Sequence, residues 1–143
     1  MNTEKIKVLF ICSHNAGRSQ MAEGYLNARY GDRYDAMSAG FRASRINPTT
    51  IRVMAEIGVD IGTQYSKTLM EFKGETFDII VILADSPYEH ELPLSKATTC
   101  VHRNFTDPGS FHGNSEVVLA GFRVIRDEIA RWIDLCFVQG NIN

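Results

Sequence analysis

Cysteine is scarce in this chain, and its three copies do not pair up. Cys12, Cys100 and Cys136 are odd in number and irregular in spacing. That excludes a disulfide framework and points to a reducing compartment. Long hydrophobic runs are also missing, and the first residues lack the layout of a signal peptide, so the chain reads as a soluble cytoplasmic protein. Histidine is sparse as well. His90, His102 and His112 show no ligand spacing with the cysteines, which argues against zinc or any other metal. Neither sign of charge dominates. A formal net charge of −2 offers no basic surface to nucleic acid or to a membrane. Repeats, low-complexity tracts and linkers are absent, and 143 residues of 44% hydrophobic content suit one domain, 1–143, around a single core.

What is present begins with Cys12-Ser13-His14-Asn15-Ala16-Gly17-Arg18-Ser19, set between the apolar run Val8-Leu9-Phe10-Ile11 and a helical segment. A buried strand that feeds a tight loop opening a helix leaves several backbone N–H groups without intrahelical partners. The positive end of the helix dipole adds to their pull, so residues 13–19 form a ready oxyanion site. The field that holds an anion also favours thiolate over thiol at Cys12. Arg18 adds a planar fork of donors able to grip two oxygens of a tetrahedral anion. Ser19 is placed to donate its hydroxyl to the sulfur. Gly17 supplies backbone freedom near the anion, and Asn15 tolerates the left-handed conformation such a loop needs. A bare Cys-x5-Arg also describes a small buried residue followed by a solvated arginine; the glycine and asparagine between them weigh against that reading.

The rest of the pattern alternates strand and helix. Strands are expected at Lys5 to Ile11, Tyr34 to Ala39, Phe77 to Leu83 and Ala97 to His102. The first helix runs from Gln20 to Arg29, with Met21, Tyr25 and Ala28 on its inner face. Asn47 caps a second helix with Pro48 at its first position; Ile51, Met54, Ala55 and Ile57 face inward and Gly58 closes it. Ser66 caps a short third helix, Lys67 to Phe72. A loop from Asn104 to Asn114 precedes a long helix, Ser115 to Val138, capped by Ser115. Val118, Phe122, Ile125, Ile129, Trp132 and Cys136 form its core stripe, and Arg123, Arg126, Asp127 and Arg131 its wet side. Such a chain folds as a parallel α/β sheet with helices on both faces, and ligands then sit beyond the carboxyl ends of the strands.

Cys12 lies at that edge, as does the loop carrying Asp107-Pro108. A Cys12 thiolate can attack the central atom of a bound oxyanion while the amides and Arg18 hold the charge that spreads over its equatorial oxygens. Asp107, on a loop stiffened by Pro108, is the acid for the leaving oxygen. Cys12, Arg18 and Asp107 are thus the catalytic candidates, and Ser13, His14, Asn15, Ala16, Gly17, Arg18 and Ser19 the oxyanion loop. His14 either shapes access or is an incidental surface residue. Phe111 either lines the substrate mouth or anchors its own loop. Cys100 and Cys136 read as core thiols.

With these residues in hand the chain resembles the low-molecular-weight protein tyrosine phosphatase superfamily, and within it the arsenate reductases. The likeness spans nearly the whole length, from Val8 to Cys12 and His14 to Gly24, through Ser38-Ala39-Gly40, Asn47-Pro48 and Met54 to Ile61, to Phe105 to Pro108 and Arg126 to Ile129. It implies a three-layer α/β/α sandwich with a four-stranded parallel sheet. It also implies that Cys12 attacks arsenate, that a second thiol then releases arsenite, and that no organic or metal cofactor takes part. The thioredoxin-coupled relatives carry two further cysteines on and just after the third strand. This chain has Ala84 and Glu91 about there and no cysteine between Leu83 and Ala97. The remaining options are an external thiol reductant or redox partner, Cys100 in an unusual geometry, or hydrolysis of phosphate monoesters, including those of phosphorylated proteins. The phosphatase branch usually has a cysteine at the place of Gly17 and tyrosines after the Asp-Pro pair, where this chain has Gly109-Ser110-Phe111. Some reductases place a carboxylate near Lys67 that helps hold a potassium ion; a lysine there brings a positive charge of its own. A non-enzymatic phosphate-binding module is the different-class alternative, and it has no need of Asp107.

Overall fold

The computed structural model describes residues 4–84 and 96–139, which form one four-stranded sheet and its flanking layers. In chain order the elements are β1 (Ile6–Cys12), α1 (Arg18–Tyr30), β2 (Tyr34–Gly40), α2 (Pro48–Glu56), β3 (Thr76–Ile82), β4 (Lys96–His102) and α3 (Ser115–Gln139). Two short 3-10 turns, Leu69–Phe72 and Pro108–Ser110, lie in the connections. All strand pairs are parallel, in the order β2-β1-β3-β4. His90 and Glu91 lie outside the described residues.

β1 is central and apolar on both faces. Val8, Phe10 and Cys12 join the core shared with α1, α2 and α3, whereas Leu9 and Ile11 join the smaller core under Leu69 and Phe72. Each fully buried side chain of this size contributes about 1.5–3 kcal/mol relative to exposure. Both layers are therefore present and unequal: among the described residues the three α-helices share one core and the 3-10 turn covers the other. A run of aromatic contacts crosses the larger core, from Tyr34 to Phe137 (5.2 Å), to Trp132 (5.7 Å) and to Phe105 (6.0 Å). Each such pair adds about 0.5–1.5 kcal/mol, and the run ends at the residue whose carbonyl holds Arg18.

Several local expectations are corrected. α1 starts at Arg18, two residues early, because the loop turns directly into the helix. Ala28 and Ala55 are exposed; Leu26 and Val53 take the inner positions, since the helices are rotated to bring a larger apolar residue inward. Asn47 caps α2 as expected, accepting from the Thr49 amide at 2.9 Å. Thr68, not Ser66, caps the 3-10 turn, because the Ser66 hydroxyl is committed to the His14 carbonyl. Asn114, not Ser115, caps α3 through the Val117 amide. Arg126 is not on the wet side. It is buried against α2, where it donates to the Val53 carbonyl (3.0 Å) and to Glu56 (2.8 Å). Cys100 is exposed on the edge strand β4, and Cys136 is half-buried. No helix among the described residues is long and apolar enough to cross a membrane.

Candidate active site

The loop after β1 is held from its outside by its carbonyls. Cys12 O accepts from the Phe41 amide (3.2 Å), Ser13 O from Arg42 (3.0 Å), Ala16 O from Asn47 (3.1 Å) and Gly17 O from Met21 (2.9 Å). His14 O accepts from the Ser66 hydroxyl (3.0 Å) and Asn15 O from the Gln20 side chain (3.1 Å). Six consecutive carbonyls are thus turned outward. A trans peptide sets each carbonyl antiparallel to the following N–H, so the amides of residues 13–18 turn inward. None of them has an acceptor among the described residues. They are backbone donors left for a ligand.

The conformational demands of this loop fall at Asn15 and Gly40. Asn15 has a φ of 53°, the left-handed region expected for it. Gly40 ends β2 directly beside the loop, where a β-carbon would lie 2.7 Å from the Asn15 amide nitrogen and 2.8 Å from the His14 carbonyl carbon. Gly17, expected to provide the freedom, has a φ of −137° and a ψ of −82°, neither helical nor extended. The signal for Gly40 was available as a glycine closing a strand; what was missing was which neighbour it approached.

Cys12 is buried at the floor, its sulfur 2.7 Å from the Ser19 hydroxyl. Arg18 is buried beside it. One terminal nitrogen donates to the carbonyl of Phe105 (3.0 Å) and reaches that of Leu83 (3.4 Å); the other lies 3.8 Å from the Asp107 carboxylate. Asp107 stands on the rim and accepts from the Gly109 amide at 2.9 Å, which fixes its turn. Cys12, His14, Ala16, Gly17, Arg18 and Asp107 line a cavity of about 40 Å³. Pockets for organic ligands run about 300–1,000 Å³, so only a small ion, or the tip of a larger substrate, enters here. The structure therefore brings Cys12, Arg18 and Asp107 together as expected. Of the oxyanion loop, the side chains of Asn15 and Ser19 face the rear and support it. His14 is exposed.

That support is a polar cluster whose members Gln20, Glu23 and Ser38 received no role from the sequence, and in which Lys67 supplies the positive charge expected of it. The Asn15 amide group donates to Ser19 (2.7 Å) and Ser38 (3.0 Å) and accepts from Gln20 (2.7 Å) and the Lys67 backbone (3.0 Å). Ser38 donates to Glu23 at 2.6 Å, and the Lys67 ammonium lies 3.7 Å from the same carboxylate. Burial pushes the Glu23 carboxyl up from its ordinary value, against the lowering effect of Ser38 and Lys67. The residues do not fit the potassium ion implied by some reductases, because an ammonium already sits on the carboxylate and a second cation would be repelled by it. Among the described residues no cluster of histidine, cysteine or carboxylate could hold a metal.

Phe111 is the anchor of its own loop. Its ring lies on α3 against Gly121, where a β-carbon would overlap it. Neither remaining cysteine reaches Cys12. Cys100 sits two strands over, three residues back in register, with its partner Ile80 in the opposite core. With strands about 4.8 Å apart and about 3.3 Å per residue, the two α-carbons are about 14 Å apart, and a disulfide requires less than about 7 Å. Cys136 lies beside Phe137, which packs on Tyr34 at the far end of the sheet. Burial raises its thiol, leaving it a poor nucleophile.

Residues 7–132 match the low molecular weight phosphotyrosine protein phosphatase family. An arsenate reductase of Halalkalibacterium halodurans is 38% identical over 130 residues, covering 88% of this chain and 91% of that protein. A glutaredoxin arsenate reductase of Synechocystis is 38% identical over 77 residues, 54% of this chain and 59% of that protein. Among solved structures, an arsenate reductase in its phosphate-binding state superposes with a TM-score of 0.74 at 26% identity, covering 94% of this chain and 98% of that one. On the loop, the sheet order and this full-length likeness, the chain belongs to the low molecular weight phosphotyrosine protein phosphatase family, alongside its arsenate reductases.

Proposed function

We propose that this protein is an arsenate reductase that relies on an external thiol. The observation that carries the proposal is the inward-turned set of amides around a buried Cys12, with no second cysteine in reach. The amides of 13–18 and Arg18 bind arsenate and stabilise the charge that develops on its equatorial oxygens. The Cys12 thiolate attacks arsenic, an arsenic–oxygen bond breaks, and the leaving oxygen takes a proton from Asp107 and departs as water. An external thiolate then attacks the Cys12 sulfur. The sulfur–arsenic bond breaks with its electron pair passing to arsenic, which leaves as arsenite, and a mixed disulfide remains on Cys12. A second external thiol frees Cys12. Overall one arsenate and two thiols give arsenite, one disulfide and water.

The glutaredoxin-named relative supports a thiol partner of small or glutaredoxin type. The competing reading is hydrolysis of phosphate monoesters, favoured by the family match and by the first half-reaction, which the two chemistries share. Phe111 weighs against an aromatic phosphoester, since it turns away from the rim. Arsenite formation assayed with glutathione and glutaredoxin, thioredoxin or mycothiol systems, beside a phosphomonoester assay, separates the two. Turnover in at least one thiol system is expected; arsenite in none of them with robust phosphate release would reverse the assignment. Cys12→Ser should abolish turnover while phosphate still binds, which a binding-only module would not require. Asp107→Asn should slow adduct formation by about 10²–10⁴-fold, most for the poorest leaving groups; an unchanged leaving-group dependence would remove Asp107 from the acid's role.

A further inference from the structure

We propose that Lys67 is a positioning residue that acts on Cys12 through a buried hydrogen-bond chain of fixed polarity. The inference rests on the reading of Cys12 as the thiolate nucleophile. The chain runs Lys67 ammonium, Glu23 carboxylate, Ser38 hydroxyl, Asn15 amide, Ser19 hydroxyl, Cys12 sulfur, with separations of 3.7, 2.6, 3.0, 2.7 and 2.7 Å.

Its direction follows from donor counting. An ionised carboxylate only accepts, so Ser38 spends its single proton on Glu23. Ser38 then meets Asn15 as an acceptor, which turns the Asn15 NH2 toward the two serines. Its oxygen is held on the other side by the Lys67 amide and by Gln20. The second Asn15 N–H goes to Ser19, and the Ser19 proton is left for sulfur. A hydroxyl donating to sulfur stabilises thiolate over thiol. Donation runs toward Glu23 on one side of Asn15 and toward Cys12 on the other, so the chain acts by fixing which group donates at each step, the Asn15 NH2 being the node that serves both serines.

The weak point is Glu23. Its burial favours the neutral acid, and the charge of Asp35 on β2 pushes the same way. Opposing them are the Ser38 proton and the Lys67 ammonium, which is itself buried, stacked 4.6 Å from the Tyr65 ring and donating to the Tyr65 carbonyl at 3.0 Å. One residue thus touches the relay at two points, the carboxylate with its side chain and the Asn15 oxygen with its backbone. A mobile ion at this place would tie loop chemistry to salt composition; a lysine makes the charge part of the chain.

The test is the pH profile of Cys12 alkylation by iodoacetamide in the full-length protein, with phosphate affinity and the circular-dichroism melt as fold controls. Lys67→Met should move the profile to higher pH and slow labelling near pH 6.5 by about three- to tenfold, with phosphate still protecting. Ser38→Ala breaks the chain while leaving the ion pair, and should do the same. The double variant should be no slower than either single, because both cut one path. If Lys67→Met does not fold, Lys67→Gln takes its place beside Ser38→Ala. An unmoved profile in the folded Lys67 variant or in Ser38→Ala, or shifts that simply add in the double variant, would overturn the proposal. The readout contains no arsenate, so an error in the assigned substrate leaves it intact, whereas a Cys12 that never labels as a thiolate in the wild type would sink the parent reading instead.

Discussion

Two buried arginines sit in different parts of this molecule, and their partners differ. Arg126, in the seam between α2 and α3, donates to Glu56 and Asp127 at 2.8 Å each and to the Val53 carbonyl at 3.0 Å. Arg123 completes the brace with two bonds to Glu56, at 2.9 and 2.6 Å. Arg18, at the carboxyl edge of the sheet, holds two neutral carbonyls, and its nearest carboxylate stands off at 3.8 Å on the exposed rim. The first guanidinium is used up by anions of the protein itself. The second is oriented by carbonyls that leave its charge uncancelled. Burying a charge in that way is costly, and it persists where an outside anion completes the pairing. A saturated arginine is a brace; an oriented, unsaturated one is a receptor.

Exchanging the two is the sharpest way to break that contrast. Arg18→Lys keeps a charge but loses the fork, and turnover should fall by about 10²–10³-fold with the melt nearly unchanged. Arg126→Met should do the reverse, lowering stability by about 1–3 kcal/mol through the orphaned Val53 carbonyl and lost ion pairs while turnover at permissive temperature holds. Steady-state assays and thermal melts on both variants check it. Equal losses of activity in the two would erase the distinction.

Next in size is Gly40→Ala. The new β-carbon would press on backbone atoms of the loop, and backbone cannot swing aside as a long side chain does. Displacing the loop by even about 1 Å costs on the order of 10² in rate. Phosphate affinity should fall in parallel, as measured by protection of Cys12 from alkylation. Retained affinity would mean that the receptor region is softer than its bonding implies.

The same contrast explains how much could be read from the chain. Strand positions, the Asn47 cap and the grouping of Cys12, Arg18 and Asp107 follow from local pattern, because each depends on residues near in sequence or on which sheet edge a loop leaves. Arg126 was misplaced on the wet side since its partners, Val53 and Glu56, lie about 70 residues away and carry no periodic signal. Glu23 and Ser38 went unassigned for the same reason, and Lys67 was given a charge but no partner. Each is an ordinary polar residue until the fold stacks it beneath Asn15.

A smaller effect separates the brace from the receptor by pH. The two arginines hold the Glu56 carboxyl down to about 2 from an ordinary 4.5. A depressed carboxylate lends stability that is fully present above its unfolded value and is lost as pH falls through the folded one. Glu56→Gln should therefore melt below the wild type at pH 7, and the two melting curves should converge between about pH 4.5 and 2. A gap of undiminished size at pH 2 would show that Glu56 acts by packing rather than by charge.

The smallest effect is expected at Gly17→Ala, inside the loop itself. A β-carbon there would meet Pro108 at 3.5 Å and the Thr50 hydroxyl at 3.6 Å, both ordinary contact distances. Its φ is negative, so the left-handed argument that protects Asn15 does not extend to it. What Gly17 contributes to anion binding is its amide neighbours and its outward carbonyl, and alanine keeps both. Phosphate affinity and turnover should change by less than about threefold. A loss approaching that of Gly40→Ala would mean that the loop tightens around its ligand until the space beside Pro108 closes, and that the receptor, unlike the brace, has a second shape.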